Sequence, residues 1–308
     1  MKQFLLGVDI GGTTIKIGKF DLSGDLIAKW EIPTDRSNYG NRILRDVYES
    51  ISEHLDWDHV KGVGFGVPGP VAGDVVLACV NIGWSDMDVA AQFRALLGRL
   101  DIHVRASNDA NVATTGEVFR GAAVGKKNVV MFTLGTGVGA GVVVDGRLVD
   151  GKNGCAGELG HLVVDFTRKL PCKCGKSGCL ETVASATGIV NLAKLHLASS
   201  SAESMLSAFD DFSAKRVIDL AKIGDPVATA AVDEAADHLG RAVAAVLLTL
   251  NPELVVIGGG VSHAGPFFLD KISAKAQEYS RPFAKETPVV GATLGNDAGI
   301  YGAAYLVR

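Results

Sequence analysis

The sequence has no surplus of basic charge. Thirty Lys and Arg stand against 34 Asp and Glu, a formal net charge of −4, so a phosphate backbone finds no electrostatic footprint and nucleic-acid binding is not expected. It has no long apolar run either. None reaches the ~18 to 20 residues that span a bilayer, and the most apolar stretch, residues 242–250, stops at Asn251 and Pro252. At the N-terminus, Lys2 precedes a short apolar segment that Asp9 interrupts before a signal-peptide core can form. The five cysteines, Cys79, Cys155, Cys172, Cys174 and Cys179, are an odd number in a chain of 308 residues, which argues against a disulfide framework. Low-complexity tracts are missing as well, and Ser199 to Ser201 reads as a surface loop. These absences leave a soluble, cytoplasmic chain without membrane contact. Its 47% hydrophobic residues can fill the core of one large domain or two of ordinary size.

Glycine is what the chain has in excess: 38 residues, or about 12%, against a usual share of roughly 7%. The spacing has no collagen period, so the excess belongs to particular turns and ligand-facing loops. Apolar patterning predicts strands over residues 4–10, 14–20 and 26–32, with a turn at 22–25. Ile43, Val47, Ile51 and Leu55 recur at helical spacing and predict a helix over 41–55. Further strands are expected over 60–67 and 102–106, and helices over 87–97 and 111–123. Residues 129–149 then repeat the opening in outline: an apolar strand (129–134), a glycine-rich turn (135–141), a second strand (142–144), and a polar turn at Asp145-Gly146. Two hairpins of one design suggest two related lobes facing each other. After Gly188 the pattern is helical, with an Ala-rich helix over 228–250, a short strand over 254–257, and the corner Gly258-Gly259-Gly260.

Two phosphate motifs fail on inspection. Residues 121–127 read GAAVGKK, too short between glycines and without the Ser or Thr of a Walker A loop. Residues 135–140 match GxGxxA, but that fingerprint must open a helix and here it leads into a strand. The first glycine turn carries more. Asp9, Gly11, Gly12, Thr13, Thr14 and Lys16 combine a strand-end carboxylate, two glycines whose N–H groups can approach oxygens, two hydroxyls and an amine. That is a phosphate cradle with a place for Mg2+, or a plain hairpin turn. Gly135, Thr136 and Gly137 offer a second cradle, as an ATP-using enzyme with a hinge would need. Gly258 and Gly259 could let a flat base or ribose lie against backbone, or simply turn a corner.

The cysteines give the sharpest local signal. His161, Cys172, Cys174 and Cys179 make a Cys₃His set, the usual composition of a structural Zn2+ site, and Gly175 and Gly178 permit the tight turns. The alternative is three free thiols. A closed site of this kind shapes a loop and leaves no position for reacting water. Glu158 and Glu181 flank it, as site residues or as solvated carboxylates. Cys79 and Cys155 read as small core residues. Asn108 and Asp109 close a strand just before a helix, where sites form in α/β sheets, although Asp there is often just an N-cap.

The strings DIGGTTIK, LGTGVGAG, GELGH and CKCGKSGCLE, in this order and through to GNDAGIYGAA, resemble the ROK family of sugar kinases and sugar-sensing repressors. VNIGW, SNDANVA and CLETVASATGI are most similar to bacterial glucokinases within it. The resemblance implies an α/β, two-domain actin-like ATPase (ribonuclease-H-like) fold with an interdomain cleft. A small N-terminal domain would comprise residues 1–110 plus 295–308, and a large domain carrying the zinc loop 111–294, with a helix over 298–306 returning to the first. It further implies that Asp109 is the general base, accepting the proton of a primary sugar hydroxyl as its oxygen attacks the γ-phosphorus of ATP. Asn108, Glu158, His161 and Glu181 would hold the other hydroxyls, Gly69 and Asn81 would line the same pocket, and His161 would give one ring nitrogen to zinc and one to sugar. Glucose is the expected hexose; N-acetylmannosamine, N-acetylglucosamine, fructose and allose are the alternatives, and a non-catalytic sensor a distant one. Repressor relatives carry a DNA-binding segment ahead of the first glycine turn, where this chain has eight residues before Asp9. A homodimer or homotetramer is expected from relatives.

Overall fold

The computed structural model describes residues 3–283 and 287–308. The chain opens with the antiparallel strands β1 (Phe4–Ile10), β2 (Thr14–Asp21) and β3 (Leu26–Pro33). Helix α1 (Ile43–His54) leads to β4 (Val60–Val67), which pairs parallel with β1. A small antiparallel sheet follows, made of β5 (Val71–Ala72), β6 (Val75–Cys79) and β7 (Trp84–Asp88). Helix α2 (Val89–Leu97) starts on an Asp88 cap that accepts from the Ala91 N–H and ends at Gly98 in the left-handed region. Strand β8 (His103–Asn108) then completes a five-stranded sheet in the order β3-β2-β1-β4-β8.

Helix α3 (Asp109–Arg120) carries the chain to a second sheet. Strands β9 (Val129–Leu134), β10 (Val138–Val144) and β11 (Arg147–Leu148) are again antiparallel. Four helices come next: α4 (Glu181–Ala184), α5 (Ala186–Ser199), α6 (Ala214–Lys222) and α7 (Pro226–Leu250). Strand β12 (Leu254–Gly258) pairs parallel with β9; helix α8 (Pro266–Ser280) and strand β13 (Val289–Gly291) follow, and the order is β11-β10-β9-β12-β13. Both sheets thus have three antiparallel strands and then two parallel ones, the duplication that the repeated hairpin anticipates. Each has its own apolar core, one around Val8, Phe65 and Phe93, the other around Phe132, Leu239 and Phe268. Among the described residues, no helix is long and apolar enough to cross a membrane.

The structure shifts several expected boundaries. The strand expected over 142–144 begins at Val138, because Gly139 and Gly141 are strand residues rather than turn residues. A side chain at either would strike α3, at Ala110 or at Thr114. The helix expected from residue 87 begins at Val89, since residues 84–88 pair with β6, and the helix expected over 111–123 spans α3 instead. Cys79 is buried as expected, but Cys155 is exposed in the loop after β11, where its thiol donates to the Asn153 carbonyl at 3.3 Å.

The last helix, α9 (Ala298–Tyr305), returns to cover β1 and β4 and runs against α3. Its approach leaves no room for side chains. A Cβ on Gly302 would fall on the Val112 carbonyl of α3, and one on Gly116 would fall on the Ala298 carbonyl of α9. Gly302→Ala should therefore cost about 3 kcal/mol or more, read from the urea-unfolding midpoint. Gly260→Ala, with nothing within 4 Å of the added carbon, should stay within about 0.5 kcal/mol.

Candidate active site

Between the two sheets lies a cleft of about 710 Å³. Seven residues expected around a sugar line it: Gly69, Asn81, Asn108, Asp109, Glu158, His161 and Glu181. So do Gly135, Thr136, Gly137 and Gly259 from the expected phosphate and base contacts. Its two walls come from segments far apart in the sequence.

Asn108 and Asp109 divide two tasks. The Asn108 side chain is the cap of α3: its Oδ1 accepts from the N–H groups of Ala110 at 2.9 Å and Asn111 at 3.2 Å. Its Nδ2 donates to the Gly69 carbonyl at 2.9 Å and ties the β4–β5 loop to the helix start. Asp109 is then the first helical residue, free of capping duty and open to the cleft, with one oxygen 2.8 Å from the Ala110 N–H. Protein crowds its other sides. Desolvation holds its carboxyl above the ordinary range, the neighbouring Glu158 charge adds to this, and the Ala110 and Asn108 hydrogen bonds oppose it.

The Cys₃His residues come together. The ligand atoms of His161, Cys172, Cys174 and Cys179 all lie within 4.8 Å of one another, so the donor set fits a tetrahedral Zn2+. Cys172 Sγ lies 3.6 Å from His161 Nδ1, and Cys174 Sγ lies 3.7 Å from Cys179 Sγ. The other ring nitrogen, His161 Nε2, lies 3.8 Å from a Glu158 oxygen on the cleft side. Glu181 sits between the two systems: Oε1 accepts from the Cys172 thiol at 2.8 Å and lies 3.8 Å from His161 Nδ1. Burial and the Glu181 carboxylate push the Cys172 thiol up.

On the nucleotide side, the Gly135 N–H donates to the Gly137 carbonyl at 3.0 Å, and Thr187 Oγ1 donates to the Thr136 carbonyl at 3.0 Å. A Cβ on Gly135 or on Gly12 would meet nothing within 4 Å, whereas one on Gly137 would lie 2.8 Å from the Glu181 carboxylate and one on Gly11 2.7 Å from the Thr14 carbonyl, so each turn is open at one glycine. Gly259, at φ +79°, crosses so near Leu134 that a Cβ would lie 2.6 Å from its backbone nitrogen. Gly258 does not reach the cleft; its missing side chain makes room for Ala292 and the end of Met131.

The first glycine turn stands at the edge of the cleft and outside its lining. The Gly11 N–H donates to the Thr14 carbonyl at 3.0 Å, and Thr34 secures the turn by donating to the carbonyls of Thr13 and Gly11. Lys16 pairs with Asp9 in strand register, but its Nζ donates to the Asn296 carbonyl at 2.9 Å, toward the start of α9. Asp9 faces Gly299 of α9. Its carboxyl is pushed up to about 6, first by desolvation, then by the Asp109 charge, against an opposing pull from Lys16.

Two features escape the sequence reading. Asn111 lines the cleft, is 4% exposed, and its Oδ1 has no partner. It lies in the same SNDAN string, one turn beyond Asn108, and helical periodicity could have singled it out. The second is a cavity of about 400 Å³, mostly apolar, lined by Ala186, Ala214, Ile218, Val261 and Ala264 and reaching Gly135 of the glycine turn. No local string marks it, because its walls come from α5, α6 and the turn after β12.

A profile of the ROK family matches residues 5–308. The chain belongs to the ROK family. It is 39% identical to a glucokinase of Halalkalibacterium halodurans, over 99% of this chain and 95% of the relative. It is 36% identical to a glucokinase of Thermotoga maritima, over 100% of this chain and 98% of the relative. Among solved structures, a ROK glucokinase from Streptomyces griseus in complex with glucose and AMPPNP superposes with a TM-score of 0.79. That protein is 32% identical, with 98% of each chain covered. The two similarly ordered sheets are those of a two-domain actin-like ATPase fold.

The folded chain binds a proton at Asp9 more tightly than the unfolded chain does. Stability from this group is therefore lost as pH rises from the ordinary value of 3.8 through about 6, and regained on acidification. Asp9→Asn should be more stable than the native chain at pH 7 in metal-free buffer, by on the order of 2 kcal/mol after allowance for its partial exposure. Below about pH 4 the gain should vanish. Urea midpoints at the two pH values check this; a variant no more stable at pH 7 would show that the carboxylate is fully satisfied.

Proposed function

We propose that this protein transfers the γ-phosphoryl group of ATP to the primary 6-hydroxyl of glucose. One observation carries the reading: Asp109, released from capping by Asn108, shares a cleft with the Glu158–His161–Glu181 wall and with the open glycine turn Gly135–Gly137. That arrangement meets the needs of in-line phosphoryl transfer, which calls mainly for positioning and charge stabilisation. The glucokinase relatives and the glucose and AMPPNP complex of the Streptomyces griseus protein support the same reaction.

Glu158, Glu181 and His161 Nε2 receive the sugar hydroxyls and leave the primary hydroxyl toward Asp109. Asp109 accepts its proton as the oxygen attacks phosphorus. The elevated affinity of its carboxyl for a proton suits a base that must take one from an alcohol. The N–H groups of Thr136, Gly137 and Gly12, with the Thr13 and Thr14 hydroxyls, hold the phosphate oxygens, while the Gly135 and Gly11 N–H groups close their own turns. The apolar cavity beyond Gly135 takes the adenine, with Gly259 against its ribose. Asp9 would hold Mg2+, which would supply charge neutralisation of the phosphates when bound. His161, Cys172, Cys174 and Cys179 would hold a structural Zn2+, which would order the loop and leave His161 Nε2 for the sugar. In this reading a small domain of residues 1–110 plus 295–308 faces a large one of 111–294. Their closure on sugar excludes water from the phosphoryl group. The setting is cytoplasmic glycolysis.

ADP release from Mg·ATP with glucose, N-acetylmannosamine, N-acetylglucosamine and fructose, beside a no-sugar blank, tests the reading. Turnover confined to glucose is expected, turnover with another hexose would move the substrate, and silence with every sugar would overturn the enzyme. In the same assay Asp109→Asn should lower kcat by about 10³-fold while calorimetry shows glucose still bound; retained turnover would remove the base assignment. Elemental analysis should find one zinc per chain, and Cys179→Ser should lose it together with glucose affinity.

A further inference from the structure

Among the described residues the chain passes between the two sheets twice: from α3 through residues 121–128 into β9, and from β13 through residues 292–297 into α9. One carboxylate is bonded to both passages. Glu117, in the last turns of α3, is 0% exposed. Its Oε2 accepts from the Ala122 N–H at 2.7 Å on the first passage. On the second, its Oε1 accepts from the N–H groups of Thr293 at 3.0 Å and Leu294 at 2.8 Å, and its Oε2 from the Thr293 hydroxyl at 3.3 Å. Gly121 makes room for it, since a Cβ there would fall on the carboxylate.

A buried carboxylate is costly unless its hydrogen bonds are met. Here one N–H from the adjoining turn, two N–H groups from a segment 176 residues away and one hydroxyl meet them, and removing the carboxylate would leave three N–H groups without acceptors. Joining both at one point has a mechanical consequence: when the loops of the first sheet, with Gly69 and Asn81, approach the Glu158–His161 wall of the second, both covalent connections must turn about Glu117. The nearby α3–α9 contact, closed by Gly116 and Gly302 with no side chain between, lets the helices stay in register as they do so.

We infer that Glu117 is the pivot of cleft closure, a positioning residue that touches no substrate and sets the axis on which the sugar wall meets Asp109. This deepens the kinase reading and rests on it. Glu117→Gln keeps the shape but places an amide N–H₂ against N–H donors. It should lower kcat and raise the KM for glucose together, each roughly tenfold, as hinge changes do. The KM for ATP should move less, because its base, ribose and Gly137 contacts lie on the second lobe and just the phosphate contacts of the first glycine turn lie on the first. Thr293→Val, which removes just the hydroxyl donor, should shift the same two constants in the same direction by about threefold; it decides the matter if Glu117→Gln does not fold. X-ray scattering reads closure without turnover, with glucose and with Mg·ATP added separately. The native chain should contract with glucose and Glu117→Gln should contract less.

A folded Glu117→Gln with a lower Tm but unchanged kcat and glucose KM would reduce Glu117 to a structural staple and overturn the inference. So would a native chain that no ligand contracts, even with kinase turnover intact. Contraction that the variant weakens, in a chain without turnover, would keep the pivot and discard the kinase.

Discussion

Helix α3 lies where the two sheets approach each other, and its contacts on both sides are made by glycine. Gly139 and Gly141 of β10 let it settle against the second sheet, and Gly302 of α9 lets it settle against the helix that covers the first. Against α9 the approach is backbone to backbone, with no soft side chain to absorb displacement, while against β10 the Ala110 and Thr114 side chains of α3 fill the space the glycines leave. The N-terminus of α3 brings Asp109 to the cleft floor, and its C-terminal turns bring Glu117 to both interlobe passages. The cap by Asn108 completes the arrangement: one amide satisfies the helix start, fastens the Gly69 loop, and leaves the next residue chemically free.

Against this stiff element stands electrostatic tension. Desolvation raises the cost of ionising Asp9 and Asp109, and the Asp109 charge adds to it at Asp9 as the Glu158 charge does at Asp109. Two carboxylates near each other with Lys16 turned toward Asn296 are poorly compensated, and the natural remedy is a cation bound with phosphate. A site that is least comfortable without its ligands is prepared to bind them. The Cys₃His knot contributes differently, by holding the His161 ring at a distance from the reacting atoms and thereby orienting the nitrogen that faces Glu158.

Much of this was legible before any coordinates. The two hairpins announced themselves through strand periodicity and the Cys₃His set through the close spacing of its cysteines. Position along the chain was sufficient there because each signal is local. What local reading misplaced were residues whose work depends on a distant neighbour. Gly258 resembles its partner Gly259 in sequence, yet it serves Met131 and Ala292 rather than the cleft. Lys16 completes a phosphate motif on paper, while its amine is held by Asn296, far along the chain. Gly139 and Gly141 read as turn and prove to be strand, because the requirement for glycine comes from α3.

The motif strings by themselves carried the resemblance to the ROK family, and strand periodicity and ligand spacing the repeated hairpin and the Cys₃His set, since these are written along short stretches of chain. Tertiary structure alone decided the roles of these groups: Asn108 as cap and tie to Gly69, Asp109 as the carboxylate at the cleft, the Asn111 Oδ1 as an unpartnered atom in the wall, Glu117 as the tie between the lobes. Those assignments turn on which buried polar atom finds which donor. Hydrogen bonds between segments hundreds of residues apart are settled by packing, and no local pattern encodes them.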